Sequence, residues 1–168
     1  MVVEEELVLG ENISVIGNPG IVELFAKLRK KGIKPVIITF GTTKATKKEL
    51  EIVAEKYNKE NTTNIKQEDI ISMKDVYSVS DLGLTKANPE HWEKIINDNY
   101  EDAEVIAVFE DTFKWLKNAM KAFGCKGFLV VDKGECIKKT YDDENKDNKL
   151  EYYEGNLKEI SEKFFEII

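Results

Sequence analysis

Aspartate is missing from the first 68 residues of this chain, although acids outnumber bases overall, 32 to 25, for a formal net charge of -7. Cysteine is scarce: Cys125 and Cys136 are too few and wrongly spaced for a zinc site or a disulfide scaffold, and they read as reduced thiols. The single histidine, His91, has no second His or Cys at ligand spacing and reads as a helix surface residue. With so few histidines and no ordered glycine run, a Ser-His-Asp set, a P-loop and a dinucleotide fingerprint are excluded. No apolar run approaches the ~20 residues of a membrane span. Glu4-Glu5-Glu6 gives the amino terminus the wrong charge for a signal peptide. The negative balance disfavours an extended nucleic-acid or anionic-membrane surface and leaves room only for a local basic pocket holding one small phosphate. A cytoplasmic protein with neither nucleic-acid nor membrane partners is the expectation.

What the chain does have is an alternation of helical and strand periodicity from Asn18 onward, with no Pro- or Gly-rich linker and no repeat. One α/β domain over residues 1–168 follows, with residues 1–17 as an atypical N-terminal strand segment. Asn18-Pro19 opens a helix carrying Ile21, Leu24, Phe25 and Leu28 at i, i+3, i+4 and i+7, and Gly32 closes it. Pro35 to Phe40 reads as a buried strand broken by Gly41-Thr-Thr. Thr46 and Glu49 have capping-box spacing ahead of Leu50, Val53, Ala54 and Tyr57, and residues 58–67 read as polar loop. Asp69 to Ser72 and Asp75 to Val79 are short strand candidates. Asn88-Pro89 opens a helix with Trp92, Ile95 and Ile96 inward. Glu104 to Phe109 is a strand that ends in Glu110-Asp111 and leads into a helix stopped by Gly124. Phe128 to Val131 is another strand, residues 141–150 are polar loop, and a last helix starts at Asn156.

Three features lie in chain order at predicted strand or helix edges: Thr39, Lys86 and the pair Glu110-Asp111. A hydroxyl, an ammonium and two carboxylates are what a magnesium-phosphate site requires, since phosphoryl oxygen takes hydrogen bonds and positive charge while Mg²⁺ takes hard oxygen ligands. Each residue also has a plainer use. Acids favour helix N-termini, a threonine suits a strand, and lysines populate surfaces.

Taken as an ordered set, the segments Asn18 to Thr39, Leu84 to Trp92 and Val108 to Thr112 resemble the second, third and fourth motifs of the haloacid dehalogenase (HAD) superfamily, closest to its small magnesium-dependent phosphatases. The resemblance implies a Rossmann-like three-layer α/β domain with a mostly parallel sheet and no large cap. It also implies Thr39 and Lys86 as phosphate-binding residues, Glu110 and Asp111 as metal ligands, Mg²⁺ as cofactor and a small phosphorylated ligand. If the chain is an enzyme, it is a hydrolase of the phosphatase kind.

The first motif departs. That family places a nucleophilic aspartate, with a second aspartate two positions later, at the end of the central strand, and no aspartate is available. Glu4 and Glu6 are two apart and are weak catalytic candidates, because one added methylene displaces the attacking oxygen. The central slot must nevertheless be filled, since an empty one would strand backbone groups in two half-sheets. Val2 to Leu9 and Asn12 to Ile16 are the two candidates, with a natural remnant or completion by a partner as the third; a protein partner or a homo-oligomer is among the expected associations. The expected protein is therefore a pseudoenzyme that binds or regulates; a phosphatase using an unconventional acid and a structural or interaction module are the alternatives.

Overall fold

The computed structural model describes residues 5–10, 16–131, 137–139 and 151–168. Strand β1 (Glu5–Gly10) occupies the central slot, with β2 (Ile33–Thr39) on one side and β4 (Ala103–Glu110) on the other, both parallel to it. The first of the two candidate segments thus supplies the strand, which starts three residues later and ends one residue later than read. Beyond β2 lies β3 (Val76–Ser78); beyond β4 come β5 (Lys126–Val130) and β7 (Tyr152–Gly155), all parallel. The sheet order is β3-β2-β1-β4-β5-β7-β6, and β6 (Ile137–Lys139) is the antiparallel edge.

Alternation along the strands sorts the core into two layers. Val8, Ile33, Ile37, Phe109 and Phe128 face α1 (Gly20–Lys30), α2 (Thr43–Asn61) and the terminal helix α7 (Leu157–Ile167). Leu7, Val36, Ile38, Val105 and Val108 face α5 (Pro89–Asn99) and α6 (Phe113–Phe123). Leu7 and Val8 are both buried, as a strand covered on both faces requires. The short helices α3 (Gln67–Ile70) and α4 (Val79–Leu82) flank β3 in the chain. This is the three-layer, mostly parallel α/β domain expected, and no large cap is inserted among the described residues. None of the described helices is long and apolar enough to cross a membrane.

Several local readings need correction. Helix α2 begins at Thr43, not after Thr46: Thr42 is its N-cap, its side chain accepting from the Ala45 N–H at 3.1 Å, which leaves Thr46 buried inside the first turns. The same helix runs on to Asn61, so the polar stretch from Asn58 is half helical. Asp69-Ile70 closes α3 instead of opening a strand. The strands β6 and β7 are additional to those read from the sequence. Residues 141–150 lie outside the described residues, as do Cys136, Asp132 and Glu135.

Candidate functional site

In a parallel sheet every strand ends at the same edge, and the chain leaves there toward a helix. Thr39 is the last residue of β2, Glu110 the last of β4, and Gly10, paired with Ile37 and Phe109, the last of β1 between them. Lys86 comes from the segment joining α4 to α5.

The structure brings Lys86 and Glu110 into contact. Both are fully buried, and Lys86 Nζ lies 3.5 Å from Glu110 Oε2. The other carboxylate oxygen, Glu110 Oε1, accepts the backbone N–H groups of Asp111 at 2.9 Å and Thr112 at 3.1 Å. Glu110 thus serves the first turn of α6, where the helix leaves N–H groups without internal partners. Asp111 is half-buried, and its Oδ1 accepts the Thr112 hydroxyl at 3.2 Å. Thr39 is buried, its Oγ1 accepting from the Gly41 N–H at 3.2 Å.

A buried ammonium needs compensation from more than one direction. Besides Glu110, aromatic faces surround it: the ring centroid of Phe40 is 4.9 Å from Lys86 Nζ and that of Trp92 5.8 Å. Phe40 in turn meets Trp115 at 5.4 Å. The backbone of the lysine segment is pinned as well. Lys86 O accepts from Trp92 Nε1 at 2.9 Å and from Asn118 Nδ2 at 3.1 Å, while His91 Nδ1 accepts the Thr85 N–H at 3.0 Å. His91 is therefore an anchor for the lysine segment rather than a bystander on a helix surface. Phe40, His91 and Asn118 were not singled out as site residues by pattern; only the position of Phe40 beside Thr39 gave a signal.

Glu6 does not join this group. It pairs with Ile33, the first residue of β2, and with Glu104 near the start of β4, so it belongs to the opposite edge of the sheet. The length of β2 between the levels of Glu6 and Thr39 is ~20 Å at 3.3 Å per residue, beyond the reach of any side chain. Glu4 lies outside the described residues. Cys125 is no substitute nucleophile, since burial pushes its thiol up to about 12.

Among the described residues the donors do not form a Mg²⁺ centre. No group of three or more His, Cys, Asp or Glu side chains converges among the described residues. Mg²⁺ needs oxygen ligands open to water and substrate, whereas both oxygens of Glu110 are engaged by an ammonium and by backbone N–H groups. Asp111 is left as a single half-buried carboxylate.

No protein family matches the chain by sequence profile, and no curated protein matches it by sequence. Solved structures do match it in shape. The core domain of a candidate phosphoglycolate phosphatase from Streptococcus pneumoniae superposes with a TM-score of 0.58 at 15% identity, covering 98% of each chain. The Unknown transcript 4 protein of Saccharomyces cerevisiae gives 0.47 at 13% identity over 70% of this chain and 50% of that one. Glucose-6-phosphate 1-dehydrogenase of Mycobacterium avium gives 0.48 at 11% identity over 79% and 30%. The last two fall below a TM-score of 0.5 and carry no weight. What the first establishes is the fold: this chain has the Rossmann-like three-layer α/β fold of that core domain.

Proposed function

We propose that this chain is a HAD-like domain that has lost phosphoryl-transfer chemistry and acts by binding or regulation. The observation that carries this reading is the buried Lys86–Glu110 pair beside a central strand that ends in glycine. Attack on phosphorus requires a carboxylate at that strand end, within reach of a lysine free to meet the phosphate. Here Gly10 holds the strand end, and the ammonium already neutralises Glu110. A small phosphorylated ligand would have to pass Phe40 and compete with Glu110 for Lys86, so affinity for phosphate should be low. The test is hydrolysis of 4-nitrophenyl phosphate by purified protein with Mg²⁺. The expected rate is no higher than that of Asp111→Asn. Turnover that Mg²⁺ raises and Asp111→Asn abolishes would overturn the reading.

One observation favours the alternative, a phosphatase with an unconventional acid. Because β1 ends at Gly10, the next residue in sequence is Glu11, an acid adjacent to the strand end that Glu6 cannot reach. In that version Glu11→Gln, and not Glu6→Gln, removes the activity.

A further inference from the structure

Beside Thr39, a cavity of about 220 Å³ is lined by Ile16, Thr39, Phe40, Gly41, Thr46 and Glu49, together with Ala45. Two of its hydroxyls are more than nine-tenths buried, Thr39 at 6% and Thr46 at 4% exposure. Thr39 Oγ1 accepts one backbone N–H and donates to no described group. Thr46 Oγ1 has no hydrogen-bond partner at all among the described residues. Both oxygens converge on Gly41: a methyl group built there would sit 3.5 Å from Thr46 Oγ1 and 3.6 Å from Thr39 Oγ1. A buried hydroxyl without a partner costs roughly 1–3 kcal/mol, so a pair aimed into one cavity marks a place where an acceptor belongs.

The surroundings decide which acceptor. The cavity touches the start of α2, a location that ordinarily attracts anions, but three of the N–H donors there are used. Thr43 N donates to Asp81 Oδ2 at 2.9 Å, Ala45 N to Thr42 Oγ1 at 3.1 Å, and Thr46 N to Thr42 O at 2.9 Å, which leaves only the Lys44 N–H without a partner among the described residues. Glu49, one turn after Thr46 and on the same helix face, adds a carboxylate to the lining. An anion would meet that charge with a single N–H, that of Lys44, left at the helix start to offset it. A neutral molecule with an acceptor for the Thr46 hydroxyl, a donor for Glu49 and a short apolar body against Ile16 and Phe40 satisfies every wall. The volume is somewhat larger than the ~150 Å³ that holds a benzene ring in a dry cavity, which limits the body to a few carbons.

We propose that this cavity is a binding site for a small uncharged amide-like ligand, its carbonyl oxygen accepting from Thr46 and its N–H donating to Glu49. This site shares Thr39 with the phosphate half-site, but its ligand is held by Thr46 and Glu49, so it does not depend on whether any catalysis survives. Isobutyramide is the probe, with isobutyrate as its charged counterpart of the same shape and inorganic phosphate as the anion control. Titrated into ¹⁵N-labelled protein, isobutyramide should shift the amide signals of Gly41, Ala45 and Thr46 in a saturable manner, and the two anions should not. Thr46→Val, which keeps the shape and removes the hydroxyl, should weaken binding about tenfold. Gly41→Ala should abolish it, because the new methyl occupies the space between the hydroxyls at ordinary contact distance and leaves the fold intact. An unchanged spectrum away from the cavity verifies that fold for both variants. Absence of saturable shifts, equal or stronger response to isobutyrate or phosphate, or undiminished binding by Gly41→Ala would each overturn the proposal.

Discussion

A lysine ammonium with no solvent exposure is stable only where its partners are fixed beforehand, and Lys86 shows how they are fixed. Glu110 faces it at 3.5 Å, two aromatic rings cover it, and Trp92 and Asn118 hold its carbonyl. Removing one member of such a pair leaves the other charge buried, a loss of about 3–5 kcal/mol. The expected outcome in urea unfolding is therefore a large destabilisation for Lys86→Met, toward the lower end because Glu110 keeps two N–H donors. Most of the loss should return in Lys86→Met/Glu110→Gln, where no charge remains. A single variant as stable as the wild-type protein would show that the pair is not structural. The sequence displayed Lys86 and Glu110 as an ordered pair, yet their contact was not legible in it. A functional half-site and an internal ion pair use the same two residue types, and only burial separates them. Phe40 decides the matter in space, and a phenylalanine after a strand looks like any other apolar residue in the pattern.

Between elements, the start of α2 is fastened from outside by α4. Asp81 Oδ2 accepts both the backbone N–H and the hydroxyl of Thr43 at 2.9 Å. Those bonds, the backbone one foremost, hold the Asp81 carboxyl below its usual range. A folded-state value below the unfolded one means the contribution is complete above about pH 4 and fades as pH falls through the lowered value. Asp81→Asn should accordingly trail the wild-type protein in thermal midpoint at pH 6, and the gap should narrow on descending toward pH 3. A gap that stays constant across that range would dismiss the carboxylate's role. Elements of this kind were readable to different degrees. The inward face of α1, Ile21, Leu24, Phe25 and Leu28, follows from 3.6-residue periodicity, and all four are buried. Tyr152–Gly155 escaped because four residues of mixed polarity offer no alternation to detect; β5 and β6 make it a strand by pairing with it. Thr46 was misread as a cap because Thr42, Thr43 and Thr46 are equivalent in composition, and the choice falls to whichever hydroxyl meets an N–H.

For the molecule as a whole, β1 is the joint. It is hydrogen-bonded on both sides, with Leu7 facing one helical layer and Val8 the other. Leu7→Pro would delete a ladder donor and force ring against neighbour in the middle of the sheet. Circular dichroism during urea titration should then show no single cooperative transition; a wild-type-like curve would mean that the halves hold together without β1. The need for a central strand followed from the family resemblance, whose sheet has its first strand in the middle. Its location was not, since Val2 to Leu9 carries three glutamates in a row and resembles a solvated end more than a core strand.

That same strand sets a timetable for the newly made chain. Glu5 leaves the ribosome about a hundred residues ahead of Ala103, its register partner on one side. At bacterial-to-eukaryotic synthesis rates this is a wait of about 5–20 s. Until then Leu7, Val8 and Leu9 have β2 on one flank and an open edge on the other, where any extended peptide can add. The half-built protein is thus most exposed to chaperones and to mispairing through its own central strand, and the risk ends when β4 emerges.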